Sequence, residues 1–218
     1  MNRNIYSAKR RSTARAVPRP VRSTYTARPT RNMQIRRVVE FPPFIMSQTA
    51  NVWNKANYSF RLVDVPSYGE LAALFDQYRL LKVKLTWIPQ FKDIPVDPEF
   101  NIGAGTPIIY ITKSDDGTQN LNDKLDAFQD SHAIRIDNCR KNFSITVTPH
   151  VQLEVQTSLA IAGAAPKTNV WLDTANPSVT HYGAAIGGYI PQAFGSLLIN
   201  TNSFTIQCEY FMEFKNPK

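Results

Sequence analysis

The groups in this chain best equipped for chemistry are cationic and crowd its start. Arg3, Lys9, Arg10, Arg11, Arg15, Arg19, Arg22, Arg28, Arg31, Arg36 and Arg37 place eleven positive charges in the first 37 residues, and no Asp or Glu comes before Glu40. The remainder holds 14 of the 25 Lys and Arg against all 17 Asp and Glu, so the net +8 is a basic leading segment on a slightly acidic body. Such a segment is drawn to a polyanion, and nucleic acid is the commonest one. Ten of its eleven cations are arginine. A planar guanidinium forks onto phosphate oxygens or lies flat on a base, which suits flexible contact with a single strand. Tyr25 within the segment, and Trp53 and Tyr58 just beyond it, add rings for stacking on a base or for stapling against a neighbouring subunit. Lys9-Arg10-Arg11 also fits a short signal for nuclear import machinery. The plain alternative is a solvated, solubilising tail. A transit peptide would need an amphipathic apolar face, which this segment lacks.

Catalytic chemistry finds no comparable support. His132, His150 and His181 are too widely spaced for a local metal motif, and His150 falls on the polar side of an alternating strand. No G-x-S-x-G, phosphate-loop or paired-cysteine pattern occurs, and Gly103-Ala104-Gly105-Thr106 lacks the lysine that phosphate binding needs. Asp115-Asp116-Gly117 reads as a turn. Cys139 and Cys208, 69 positions apart in strand-like sequence, read as reduced thiols in or near the core. The expectation is therefore no catalytic residue, no metal and no cofactor.

Two kinds of element must carry these groups. Residues 1–40 read as an arm. Its arginines are spaced by Ser, Thr, Ala and Pro with no hydrophobic period, so it cannot bury enough surface to fold alone. Residues 41–218 read as one domain. No run of 18 uncharged apolar residues predicts a membrane span, and no apolar segment follows the basic start as a secretory signal requires. Alternation with a period of two runs from Phe143 to Val155, from Ser203 to Phe214 with Phe211 the single apolar residue on its polar side, and over Leu81, Val83, Leu85 and Trp87 against Lys82, Lys84 and Thr86. Shorter strands are predicted at 56–63, 107–112, 132–138, 169–173 and 179–186. Ser67 and Glu70 form a capping-box pattern ahead of Leu71, Leu74, Phe75 and Tyr78, and Leu121, Leu125 and Phe128 share one face of a second short helix. Long connections at 88–106, 113–131 and 156–168 complete the pattern. About eight strands with long crossings predict an all-β, eight-stranded jelly roll of two packed four-stranded antiparallel sheets, with an immunoglobulin-like sandwich as the competitor.

The run Phe75-Asp76-Gln77-Tyr78-Arg79-Leu80-Leu81-Lys82-Val83-Lys84-Leu85-Thr86-Trp87-Ile88-Pro89 resembles the capsid proteins of circoviruses and related circular single-stranded DNA viruses. There an aromatic-Tyr-Arg-apolar-x-Lys-Val run opens a long strand that closes on proline. Asn169-Val170-Trp171-Leu172, then Val179-Thr180-His181-Tyr182-Gly183, is similar to the family's Trp-containing strand and the strand after it, and Phe204 through Phe214 resembles its last strand. The arm is more dilute in arginine than the family's. The resemblance implies a coat subunit that closes in sixty copies as a T=1 icosahedral shell, with the arm inside against circular single-stranded DNA. It further implies a place in the virion, passage through the host nucleus during assembly, and a cell-surface receptor of unknown nature. Lys82 and Lys84 are candidates for added contacts to the packaged strand, or ordinary residues of a wet strand face. The coat of a small RNA virus and a cellular nucleic-acid-binding β-sandwich are the alternatives.

Overall fold

The structure is a computed structural model that describes residues 32–47, 49–90, 107–113, 121, 123–130, 132–136, 139–157, 160–191 and 203–218. Its folded unit runs from Arg31 to Lys218. The strands are β1 (Met33–Ile45), β2 (Asn54–Phe60), β3 (Phe75–Pro89), β4 (Ile108–Thr112), β5 (Ile134–Ile136), β6 (Phe143–Val147), β7 (His150–Thr157), β8 (Ala160–Thr168), β9 (Leu172–Asp173), β10 (His181–Tyr189) and β11 (Ser203–Pro217). Among the described residues two short α-helices, α1 (Tyr68–Leu74) and α2 (Lys124–Gln129), and a turn of 3-10 helix at Leu62–Asp64 interrupt them. Among the described residues no helix is long and apolar enough to cross a membrane.

Pairing is antiparallel and sorts these strands into two sheets. One runs β1-β11-β3-β6; in the other β10 lies between β2 and β4, and β4 pairs with β5. Eight strands in those two orders are the jelly roll, with crossings between sheets at β1 to β2, β2 to β3, β3 to β4, β5 to β6, β6 to β7 and β10 to β11. The β7-β8 hairpin joins the second sheet through one pair, Tyr182 with His150, and β9 adds two residues beside the start of β3. The core lies between the sheets: Trp87, Tyr78, Tyr210, Phe60, Phe204 and Phe214 are fully buried. Both cysteines are buried there, and neither is in a disulfide.

The strongest alternations became the longest strands. β3 and β11 pair over most of their 15 residues each, with alternate side chains directed into the core. A β-bulge interrupts the ladder: Phe211 lies opposite Lys82 but Met212 opposite Leu80, so Leu81 is the extra residue. Tyr78 and Leu80 are therefore buried upstream of the bulge, whereas a strict period of two put Leu81 inward.

Other expectations fail for definite reasons. The single strand predicted over 143–155 is two, because Pro149 has no N–H for a continuing ladder and the chain changes sheets there. His150 is consequently buried, at 3% exposure, and not on a wet face. Strand β1 begins at Met33, inside the segment read as arm; Ile35, Val39 and Phe41 carry its inward alternation but are diluted by Arg36, Arg37, Pro42 and Pro43. It is an edge strand whose register breaks between Phe41 and Phe44, across the two prolines. Most of 156–168, read as a connection, is strand β8. Ser67 makes no side-chain cap, because its backbone is left-handed (φ 59°, ψ 25°) where a capping side chain needs extended geometry. Helix α1 stops at Leu74, and Phe75 and Tyr78 belong to β3. Asp123 caps α2 by accepting from the Asp126 N–H at 2.8 Å; Leu121 precedes that helix, and Leu125 is 61% exposed on it. Residues 91–106 and 114–120 of the long connections, with Gly103 to Thr106 and Asp115 to Gly117, lie outside the described residues.

Candidate nucleic-acid interface

Of the expected contact residues, Arg3, Lys9, Arg10, Arg11, Arg15, Arg19, Arg22, Tyr25, Arg28 and Arg31 lie outside the described residues. Four of the others, Arg36, Arg37, Lys82 and Lys84, are positioned by the β1-β11-β3 ladder. Arg36 of β1 and Lys82 of β3 stand on either side of Phe211 on β11, all on the face turned away from the core. One register step further, Val38, Glu209 and Lys84 form the next row. Three expected cations therefore share one face. Arg37 has the opposite parity, opposite Tyr210, and its guanidinium donates to the Arg36 carbonyl at 3.2 Å.

The electrostatics of this face are partly self-satisfied. Arg36 pairs with Glu209 at 2.8 Å, with the Arg36 side chain 60% exposed, so the pair holds geometry more than it adds stability. Arg79 of β3 forks onto Glu213 of β11 through Nε at 2.6 Å and Nη2 at 2.5 Å. That carboxylate is nearly buried, which makes this pair the more tightly held. Lys82 Nζ lies 4.4 Å and Arg36 Cζ 5.8 Å from the centre of the Phe211 ring. Trp171, on the approach to β9, has Arg79 Cζ at 4.5 Å and Lys215 Nζ at 4.2 Å from its ring centre. Sequence reasoning missed Arg79, Trp171 and Lys215 because bulge and β9 pairing bring them together; Phe211 carried a signal, as the lone aromatic on a polar face.

Two of the predicted rings stand elsewhere. Tyr58 is 8% exposed, packed edge-on against Trp87, whose indole N–H donates to the Tyr58 hydroxyl at 3.3 Å. Burial pushes its phenol well above the ordinary 10. A ring enclosed by the core has no face for a base, so Tyr58 is a core residue. Trp53 is half-buried; its N–H donates to the Leu121 carbonyl at 2.5 Å and its ring lies between Tyr110 and Tyr189. It rests directly on Gly187, where any Cβ would collide with the indole. Trp53 is thus a staple within the subunit.

Of the histidines, His132 is exposed, and His150 and His181 are buried. His181 is buried, its Nδ1 shared between the carbonyls of Val179 at 3.1 Å and Phe60 at 3.2 Å, and desolvation lowers its pKa below the ordinary 6.5. Nδ1 must carry a proton to serve carbonyls, so the neutral ring is satisfied as it stands. Among the described residues no group of three His, Cys, Asp or Glu is placed to hold a metal ion.

A jelly roll whose outer sheet face mixes cations with aromatic rings, following a leading segment rich in arginine, has the build of a viral coat protein. Two solved structures share the fold. The crystal structure of the 60-mer BFDV capsid protein matches at 16% identity over 86% of this chain and 95% of that one, with a TM-score of 0.59. The crystal structure of the decameric BFDV capsid protein matches at 17% identity over 85% of this chain and 100% of that one, with a TM-score of 0.50. No curated protein sequence matches the chain. The circovirus capsid protein model matches residues 1–218, and the chain belongs to that family. The protein is accordingly a structural component of a virion and not an enzyme.

Proposed function

We propose that the chain is the coat subunit of a small icosahedral shell of sixty copies and that it packages circular single-stranded DNA through its arginine-rich N-terminal segment. The observation that carries this reading is the uneven charge, eleven cations before the first acid, in a chain of the circovirus capsid family. The 60-mer form of the BFDV protein, which shares the fold, supports the copy number. Arg3, Lys9, Arg10, Arg11, Arg15, Arg19, Arg22, Arg28 and Arg31 precede β1 and neutralise phosphates without reading sequence, with Tyr25 among them to stack on a base. Sixty copies of these nine cations supply about 540 charges, enough at one phosphate each for several hundred nucleotides. The remainder of a longer genome falls to divalent cations, polyamines and body residues such as Arg36, Arg37, Lys82 and Lys84. Lys9-Arg10-Arg11 serves entry to the host nucleus.

Deleting residues 1–30 removes eight of these nine cations and leaves β1 whole. The truncated chain is expected to form shells that electron microscopy shows empty, with ultraviolet absorbance showing no nucleic acid and no salt-dependent uptake remaining. Normal packaging by that chain would overturn the role of the segment. Digestion of the packaged strand by DNase and not by RNase is expected, and the reverse would make this an RNA coat.

A further inference from the structure

The outward face of the β1-β11-β3 ladder holds two exposed-side rings, and each carries two cations. Phe211 stands between Arg36 and Lys82, and Trp171 has Arg79 and Lys215 over its ring. Both rings are half-buried and lie outside the core clusters. Phe211 and Glu213, the partner of Arg79, are two residues apart on β11, so the two ring-and-cation units sit roughly 7 Å apart along the strand. Three carboxylates border the rings: Glu209 and Glu213, each engaged by an arginine, and Asp173, which lies in the row of Gln77 and Lys215 and accepts from the Ala175 N–H. Lys82, Lys84 and Lys215 make no ion pair with any described residue, which leaves the patch positive. Glu40 lies beyond it, opposite Gln207.

An aromatic residue on the wet side of an edge-proximal strand gains little from core burial. Cations held over ring faces are partly stripped of water and fixed in direction, which favours a ligand that offers flat rings and anionic groups together. We infer that this face is a stacking platform for single-stranded nucleic acid, with Phe211 and Trp171 meeting bases and Arg36, Lys82, Lys84 and Lys215 meeting phosphates. It rests on the reading of the chain as a packaging coat and deepens it: the leading segment supplies diffuse neutralisation, and the platform fixes a short stretch of strand on each subunit.

The test is a binding titration of the full chain with fluorescent oligothymidylate across a salt series, comparing Phe211→Leu and Trp171→Leu with the native chain. Each is expected to weaken binding roughly tenfold with the salt slope unchanged, because stacking releases no counterions, whereas Lys82→Gln lowers the slope by about one. Thermal melting at the native temperature confirms that the variants are folded. Independently, ultraviolet crosslinking of the native chain to a bromodeoxyuridine oligonucleotide is expected to label peptides containing Trp171 or Phe211. Native affinity in the Phe211→Leu/Trp171→Leu double variant, or crosslinks confined to residues 1–37, would overturn the platform. If deletion of residues 1–30 abolishes uptake while the double variant binds as the native chain does, the platform alone fails; if the deletion leaves uptake intact, the packaging segment fails whatever the platform does.

Discussion

On β11 the residues Phe204, Ile206, Cys208, Tyr210, Met212 and Phe214 are fully buried, while Thr205, Gln207, Glu209 and Phe211 set between them face outward and keep contact with solvent. The inward set is held by contacts from both sheets: Phe60 meets Tyr210 edge-on at 6.1 Å, and Phe75 packs on Phe214 at 5.5 Å. The outward set is held by pairs within one sheet. Inward positions are therefore fixed by shape, where a lost methylene leaves a void, and outward positions by charge, where a lost partner is replaced by water. Glu213 is the instructive exception, because it has outward parity but is only 6% exposed beneath Arg79.

That contrast breaks most visibly at the core. Trp87→Ala is expected to cost about 3–5 kcal/mol in chemical denaturation, since the indole is fully buried and stacks on Phe143 at 5.3 Å. Glu213→Ala follows at about 2 kcal/mol, because it strands the Arg79 guanidinium, whose side chain is only 27% exposed. Its outward parity would otherwise place it among the harmless changes, so a cost below half that figure would show that Arg79 finds water. The third test concerns acid. His181 has a folded pKa lowered from 6.5, so the unfolded chain takes up a proton first and stability falls as pH drops through 6.5. His181→Gln is expected to flatten the melting temperature between neutral pH and mild acid; an unchanged slope would assign the acid sensitivity elsewhere. Arg36→Ala comes last, at under about 1 kcal/mol, because its ion pair with Glu209 is exposed. A loss of several kcal/mol there would mean that the outward face also stabilises the fold.

Legibility in the sequence follows the same division. Strands β3 and β11 were readable because a sheet with one dry face writes a period of two, and the jelly roll followed from their neighbours. Alternation carries no label for the sheet to which it belongs, so β6 and β7 read as one strand through Pro149. Strand β1 was hidden because an edge strand needs fewer apolar residues, and its arginines outweighed Ile35 and Val39. Lys82 and Lys84 were placed on the correct side by local parity, but Arg79 reaches Trp171 only through pairing between distant segments and the Leu81 bulge, which no local pattern records. Tyr58 and Trp53 stand out by their position in the chain, which does not distinguish a ring that ends at the surface from one that turns into the core.

Pro42 and Pro43 interrupt the outermost strand of one sheet just where its register breaks. An assembling subunit meets its own copies at high local concentration, and a long, regular strand edge would offer each newcomer a row of open N–H and C=O groups. Successive residues point their N–H groups to opposite sides of a strand, so the two imino acids remove one donor from that open edge and one from the side of β11, and the broken register bends the rim away from a regular ladder. A protein whose purpose is to stick to itself in one closed geometry thereby avoids the open-ended one that leads to fibres.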